Sequence, residues 1–217
     1  MPARVRVKIC GVTSPSDARR IAEAGADAIG IVFWPKSPRF VTPRRAREIV
    51  RALPPWVAAV GVFVDEDASA IAAVARMAGL SACQLHGDEP PAVARLLSAW
   101  KVLKAFRVRA AADLCRVRAY PADAYLFDAR SPRGPGGTGE TLPWRILRGR
   151  SFGRPFVLAG GLDPDNAALA IRVANPWGVD VSSGVESRPG RKDMGKVRAF
   201  LEAVASASAR QPRTGMP

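Results

Sequence analysis

Two side chains in this sequence end apolar, strand-like runs where an acid–base pair could work. Lys8-Ile9-Cys10-Gly11 closes one run and Leu126-Phe127-Asp128 closes another. Side chains alternate along a strand, so Lys8 shares a face with Cys10 and lies one layer below it. An ammonium so placed favours a thiolate, which would make Cys10 a base or nucleophile. The blander alternative is a structural cysteine. A carboxyl at the end of an apolar strand is desolvated, which raises its pKa above about 3.9 and suits Asp128 to donating a proton.

Other strand ends carry binding chemistry. Trp34-Pro35-Lys36-Ser37-Pro38-Arg39-Phe40 is a loop stiffened by two prolines. Arg39 there could fork onto a carboxylate or phosphate. Gln84-Leu85-His86-Gly87-Asp88-Glu89 holds the sole histidine. Gln84 and His86 share a face and are expected to line a pocket; one histidine cannot build a multi-histidine metal site. Ala159-Gly160-Gly161-Leu162 and Asp180-Val181-Ser182-Ser183-Gly184-Val185-Glu186 follow the last two strand-like runs. Small residues after both runs let backbone N–H groups approach a dianion, as in barrels that bind phosphate after strands 7 and 8. The run Gly136-Gly137-Thr138-Gly139 suits a loop that comes close to a ligand.

The elements that must hold these residues alternate. Apolar runs at Val5–Cys10, Ala28–Phe33, Ala58–Val64, Ala82–Leu85, Val102–Phe106, Ala124–Asp128, Phe156–Ala159 and Gly178–Val181 read as strands. Between them lie amphipathic stretches at Ser14–Ala24, Pro43–Leu53, Asp67–Ala78, Pro90–Leu97, Ala111–Ala119, Pro143–Leu147, Asp165–Ala174 and Met194–Ala205. Ser14-Pro15 and Thr42-Pro43 are N-caps followed by proline. Gly25 and Gly79 stand where C′ glycines belong, and Asp163-Pro164-Asp165 puts acids at a helix start. Eight βα units predict an α/β fold, a single (β/α)₈ TIM barrel. The absence of Gly-x-Gly-x-x-Gly after the first strand argues against a doubly wound sheet. The barrel is expected over residues 1–205, with a flexible tail over 206–217.

Composition bounds the rest. A chain of 217 residues leaves no room for a second domain beside a barrel that needs about 200–250. No apolar run is long enough for a transmembrane helix, and no signal-peptide layout is present. Three widely spaced cysteines without Cys-x-x-Cys argue against a disulfide framework or zinc site, so a cytoplasmic location is expected. The net charge of +14 comes mostly from scattered arginines. It reads as a solvated surface with mild steering of anions; neither nucleic acid nor membrane is expected as a partner.

The quoted segments, together with Val60-Gly61-Val62-Phe63-Val64 and in this order, resemble phosphoribosylanthranilate isomerases over roughly residues 5 to 204. The resemblance implies an Amadori rearrangement in tryptophan biosynthesis. N-(5-phosphoribosyl)anthranilate would become the carboxyphenylamino-deoxyribulose phosphate, with Cys10 as general base and Asp128 as general acid. Arg39 would hold the anthranilate carboxylate, and backbone at Gly161, Ser182, Ser183 and Gly184 the phosphate. Gly160 and Asp180 complete the expected substrate site. No redox or group transfer is involved, so no cofactor or metal is expected, and the chain would act as a monomer or homodimer.

One departure is Thr141-Leu142-Pro143-Trp144, where the family pattern suggests Phe-Asp-Trp; this touches helix entry, not chemistry. Two rival readings stay open at this point. Another phosphate-binding barrel, such as indole-glycerol-phosphate synthase, would lean on Lys8 and Lys104; the histidine-pathway isomerase would have an aspartate where Cys10 stands. A non-catalytic basic module that engages RNA would rest on charge alone.

Overall fold

A computed structural model describes residues 4–128 and 144–209. The run 136–139, with Thr141 and Pro143, lies outside the described residues. Eight parallel strands close into a barrel in sequence order, with β1 pairing β8. They are β1 (Arg6–Cys10), β2 (Ala28–Val32), β3 (Ala58–Phe63), β4 (Ala82–Leu85), β5 (Lys101–Arg107), β6 (Ala124–Asp128), β7 (Phe156–Ala159) and β8 (Gly178–Val181). Each matches its expected run to within about a residue or two at either end.

The strands sort their side chains by parity. Val7, Ile9, Leu85, Tyr125, Phe127, Leu158 and Val179 point outward and are buried under the helices. Ala105, Leu126, Val157 and Ala159 form a separate small core inside the barrel. Lys8, Gln84 and Asp180 are buried polar residues on inward positions. The inner layer is therefore apolar on the β5–β7 side and polar on the β8–β1 side, which places charge under one half of the barrel mouth.

The helices follow their caps. In α1 (Pro15–Glu23) the Ser14 hydroxyl accepts from Asp17 N, and in α2 (Pro43–Arg51) Thr42 accepts from Arg45 N. Gly79 closes α3 (Ala68–Ala78) in the left-handed region at φ 75°. After α4 (Pro91–Leu96), two of the expected helices are 3₁₀ segments, Ala111–Ala119 and Trp144–Leu147. The next, α5, starts at Ala167 instead of Asp165. Asp163 explains the delay: its carboxylate accepts from Asp165 N and Asn166 N, holding a turn before the helix.

The last helix, α6 (Met194–Ala209), runs four residues past Ala205, where a tail had been expected to begin. Ser208 is the reason. Its hydroxyl donates to Val204 O and accepts from Val5 N, tying the end of the chain's last helix to the start of β1. Among the described residues no helix is long and apolar enough to cross a membrane.

Candidate active site

The C-terminal ends of the strands surround a cavity of about 510 Å³. Cys10, Arg39, His86, Asp128, Gly160, Gly161, Ser182 and Ser183 all line it. The sequence placed these residues one strand at a time; closure of the barrel brings them together.

Cys10 ends β1 directly opposite Gly30 of β2. A Cβ at Gly30 would lie 2.6 Å from the Cys10 sulfur, so only glycine leaves the thiol its place. Burial is the largest influence on this thiol and pushes its pKa up. The ammoniums of Lys8 and Lys192 pull the other way, while the Asp180 carboxylate adds to the rise. The expected pull of Lys8 toward a thiolate is present, and burial opposes it. Lys8 is shared: its ammonium donates to Asp180 Oδ2 at 2.7 Å and also reaches the sulfur, where desolvation is the larger effect.

Across the mouth, Asp128 ends β6. Its Oδ2 lies 3.2 Å from His86 Nε2, and His86 Nδ1 lies 2.6 Å from Gln84 Nε2. Gln84 is fully buried and stands behind the imidazole, away from the cavity. Its expected role as a pocket-lining residue is corrected to that of a support for His86. The physical cause is depth: Gln84 lies within β4, one inward layer below the loop that carries the histidine.

Arg39 sits in the loop after β2, which a Val32–Phe40 bridge pinches back onto the strand. Its guanidinium is not an open fork. Nε and Nη2 donate to the two carboxylate oxygens of Glu186 at 2.8 and 2.6 Å. Glu186 begins a small hairpin of β9 (Glu186–Arg188) and β10 (Arg191–Lys192). It also accepts from Lys192 Nζ at 2.8 Å, and that ammonium donates to Ser182 O at 3.0 Å. Arg39 and Lys192 together hold the Glu186 carboxyl below its ordinary range against the opposing effect of burial. Sequence reasoning missed Glu186 and Gly30, whose partners Arg39 and Cys10 lie on other elements, and Lys192, which reaches Glu186 across a hairpin too short to show a pattern.

The loops after β7 and β8 form the remaining wall. Gly160 and Gly161 both adopt positive φ, 87° and 68°. Gly184 lies against the Leu162 carbonyl with no room for a side chain, which lets the two loops touch. Asp180 forms part of the floor, ion-paired with Lys8, both nearly inaccessible. Lys104, the second lysine of the rival reading, turns away: it binds Glu89 at 2.6 Å outside the barrel interior.

Comparison with known proteins agrees with this arrangement. The family model for N-(5'-phosphoribosyl)anthranilate isomerase matches residues 7–203. The chain belongs to that family. Among curated members, the isomerase of Trichlorobacter lovleyi is 50% identical, the match covering 91% of this chain and 96% of the relative. That of Magnetococcus marinus is 47% identical over 94% of this chain and 96% of its own. The crystal structure of the Thermotoga maritima isomerase superposes with a TM-score of 0.88 at 45% identity, covering 93% of this chain and 99% of that one. A further isomerase structure, solved with reduced 1-(o-carboxyphenylamino)-1-deoxyribulose 5-phosphate, gives 0.84 at 43% identity, again covering 93% and 99%. The chain is thus an isomerase of tryptophan biosynthesis, and the indole-glycerol-phosphate synthase and RNA-binding readings fall away.

Proposed function

We propose that this chain carries out the family's reaction, N-(5-phosphoribosyl)anthranilate to 1-(2-carboxyphenylamino)-1-deoxyribulose 5-phosphate, with Asp128 as general acid and Cys10 as general base. The observation that supports this best is their placement on the rim of one cavity, at the ends of β6 and β1. Phosphate would sit on the loops after β7 and β8, and the anthranilate carboxylate on Arg39. Anchoring both ends fixes the sugar between the two catalytic groups.

Asp128 donates its proton to the furanose ring oxygen. The bond from C1 to that oxygen breaks, and the nitrogen lone pair forms an iminium with C1. Cys10 as thiolate then takes the C2 proton; the C–H electrons form C1=C2 and the iminium electrons return to nitrogen. Tautomerisation of this enolamine adds a proton at C1 and removes one from the C2 hydroxyl. The burial of Cys10, which raises its pKa, suits this order. The iminium brings a positive charge next to the sulfur at the step that needs the thiolate, and a thiolate of higher pKa is the stronger base.

The test is anthranilate-fluorescence turnover by wild type, Cys10→Ser and Asp128→Asn. Wild type should consume the substrate, and each variant should lose about 10²–10⁴-fold in kcat. A Cys10→Ser enzyme with the wild-type rate would reject the base; an unimpaired Asp128→Asn would reject the acid.

A cytoplasmic location fits the free thiols of Cys10 and Cys83. The assembly proposed is a homodimer. One solved relative is described as monomers of a dimeric isomerase from Thermotoga maritima. In this chain Trp56 is 94% exposed. It precedes β3 at the end of the barrel opposite the active site. An apolar recess lined by Val5, Val7, Ala24, Leu201 and Val204 opens on that same end.

A further inference from the structure

Beneath Cys10, one ammonium serves two acids. Lys8 and Asp180 are register partners on β1 and β8, their side chains 6% and 7% exposed, with Nζ 2.7 Å from Oδ2. The same ammonium reaches the Cys10 sulfur. Asp180 Oδ1 is buried with no hydrogen-bond partner among the described residues. The carboxylate thus spends one oxygen on Lys8 and keeps the other unused beside the reacting end of the cavity.

We propose that Asp180 is a positioning residue for Cys10 and not a substrate ligand: it competes with the sulfur for the Lys8 ammonium and so sets how much of that charge the thiolate receives. This rests on Cys10 being the general base. The charge balance supports it. Lys8, Lys192 and Arg39 carry three positive charges against two on Asp180 and Glu186, so a thiolate at Cys10 balances the cluster, and the share of Lys8 it receives depends on the hold of Asp180. The other charged groups facing Cys10 are Lys192 from β10 and Arg39 from the loop after β2. Both of those donate to the one Glu186 carboxylate, whereas the carboxylate that holds Lys8 keeps one oxygen without a partner among the described residues. Asp128 and His86 line the same cavity from the β6 and β4 sides.

The experiment follows the sulfur and not turnover. Iodoacetamide alkylation of Cys10 is measured against pH, with the modified cysteine located by peptide mass mapping. Cys83, its thiol pushed up to about 12 by burial, stays silent. The midpoint is read because nucleophilicity itself falls with thiol pKa. In Asp180→Asn the midpoint should fall by about one pH unit, since the competing charge is gone and Lys8 turns to the thiolate. In Lys8→Met/Asp180→Asn it should rise again above that of the single variant. Asp180→Ser, with the same expectation, serves if the asparagine variant does not fold. A midpoint unmoved in the single variant, or unmoved between single and double, overturns the proposal. So does an unmoved midpoint accompanied only by weaker binding of ribose 5-phosphate, which would make Asp180 a substrate ligand. An inactive Cys10→Ser enzyme is not needed for either outcome, so failure here is distinct from failure of the base assignment.

Discussion

At the scale of single residues, the site depends on side chains that are absent as much as on those present. Gly30 leaves the space that the Cys10 sulfur occupies. Gly30→Ala should keep the fold, because the strand geometry there is ordinary, but push the sulfur off its position. The strain of such overpacking is about 1–3 kcal/mol. The expected outcome is kcat at least about tenfold lower, with KM for the substrate nearly unchanged and a modest loss of Tm. A Gly30→Ala enzyme with wild-type kcat would mean that the sulfur's position is not critical. His86 is the second such residue. Through its bond to Asp128 it orients the carboxyl, so His86→Ala should cost less in kcat than Asp128→Asn, whose loss is set by the chemistry itself. Equal losses would promote His86 to a direct proton donor.

What could be read from sequence at this scale was position along a strand. Period-two alternation with an apolar run identifies the end of a strand and the side chain that faces the mouth, which is how Cys10 and Asp128 stand out. It is blind to register. Whether Lys8 meets Asp180, or Cys10 meets Gly30, depends on how β1 aligns with β8 and β2, and that is decided by barrel closure. The surroundings of Cys10 were half legible for a related reason: the ammonium two residues away is visible in sequence, the depth of its burial under the closed barrel is not.

At the scale of elements, the hairpin of β9 and β10 does the most with the fewest residues. Glu186 joins Arg39, from the loop after β2, to Lys192, and Lys192 joins the loop after β8 at Ser182. The pattern of apolar runs gave no hint of this hairpin, since its strands of three and two residues are too short and polar to show periodicity. The 3₁₀ segment Ala111–Ala119 was likewise placed correctly and typed wrongly as an α-helix. Its composition favours an α-helix, while Asp113 caps Arg109 N and Ala110 N in a tighter turn.

The hairpin also sets a pH dependence. The Glu186 carboxyl is held below its ordinary value by Arg39 and Lys192 despite burial. A depressed folded-state pKa contributes stability above the unfolded value of about 4.3, and that stability is lost as pH falls through the folded value. Glu186→Gln should therefore lower Tm at pH 7, and its deficit against wild type should shrink as pH falls below the unfolded value. Breaking a buried ion pair costs about 3–5 kcal/mol at neutral pH. Thermal melts of both proteins from pH 3 to 7 check this; parallel curves would show that Glu186 contributes through packing alone. The end of α6 makes a simpler claim. Truncation after Ala205 removes the Ser208 hydroxyl and leaves Val5 N buried without its acceptor, a cost of about 1–3 kcal/mol. Removal of residues 210–217 alone leaves that bond intact, so a Tm loss confined to the longer truncation is the expected result.

For the whole molecule, the two ends of the barrel divide the work. The C-terminal end holds the chemistry, and the opposite end is free to evolve contacts without touching it. The exposed Trp56 and the apolar recess near the start of β1 both lie on that opposite end. A large aromatic ring left in water is unfavourable, and rings of this kind anchor protein interfaces when they meet an apolar recess. The net charge of +14 opposes association of like copies, most strongly at low salt. A dimer joined through this end must therefore gain its stability from apolar burial, and it should tighten as salt rises. Light scattering after size exclusion, at low and high salt, should give a dimer mass for wild type and a monomer mass for Trp56→Glu, with catalytic turnover retained in the variant. A wild type that runs as a monomer at both salt concentrations would remove the proposed assembly. A Trp56→Glu protein that stays dimeric would move the contact to another face.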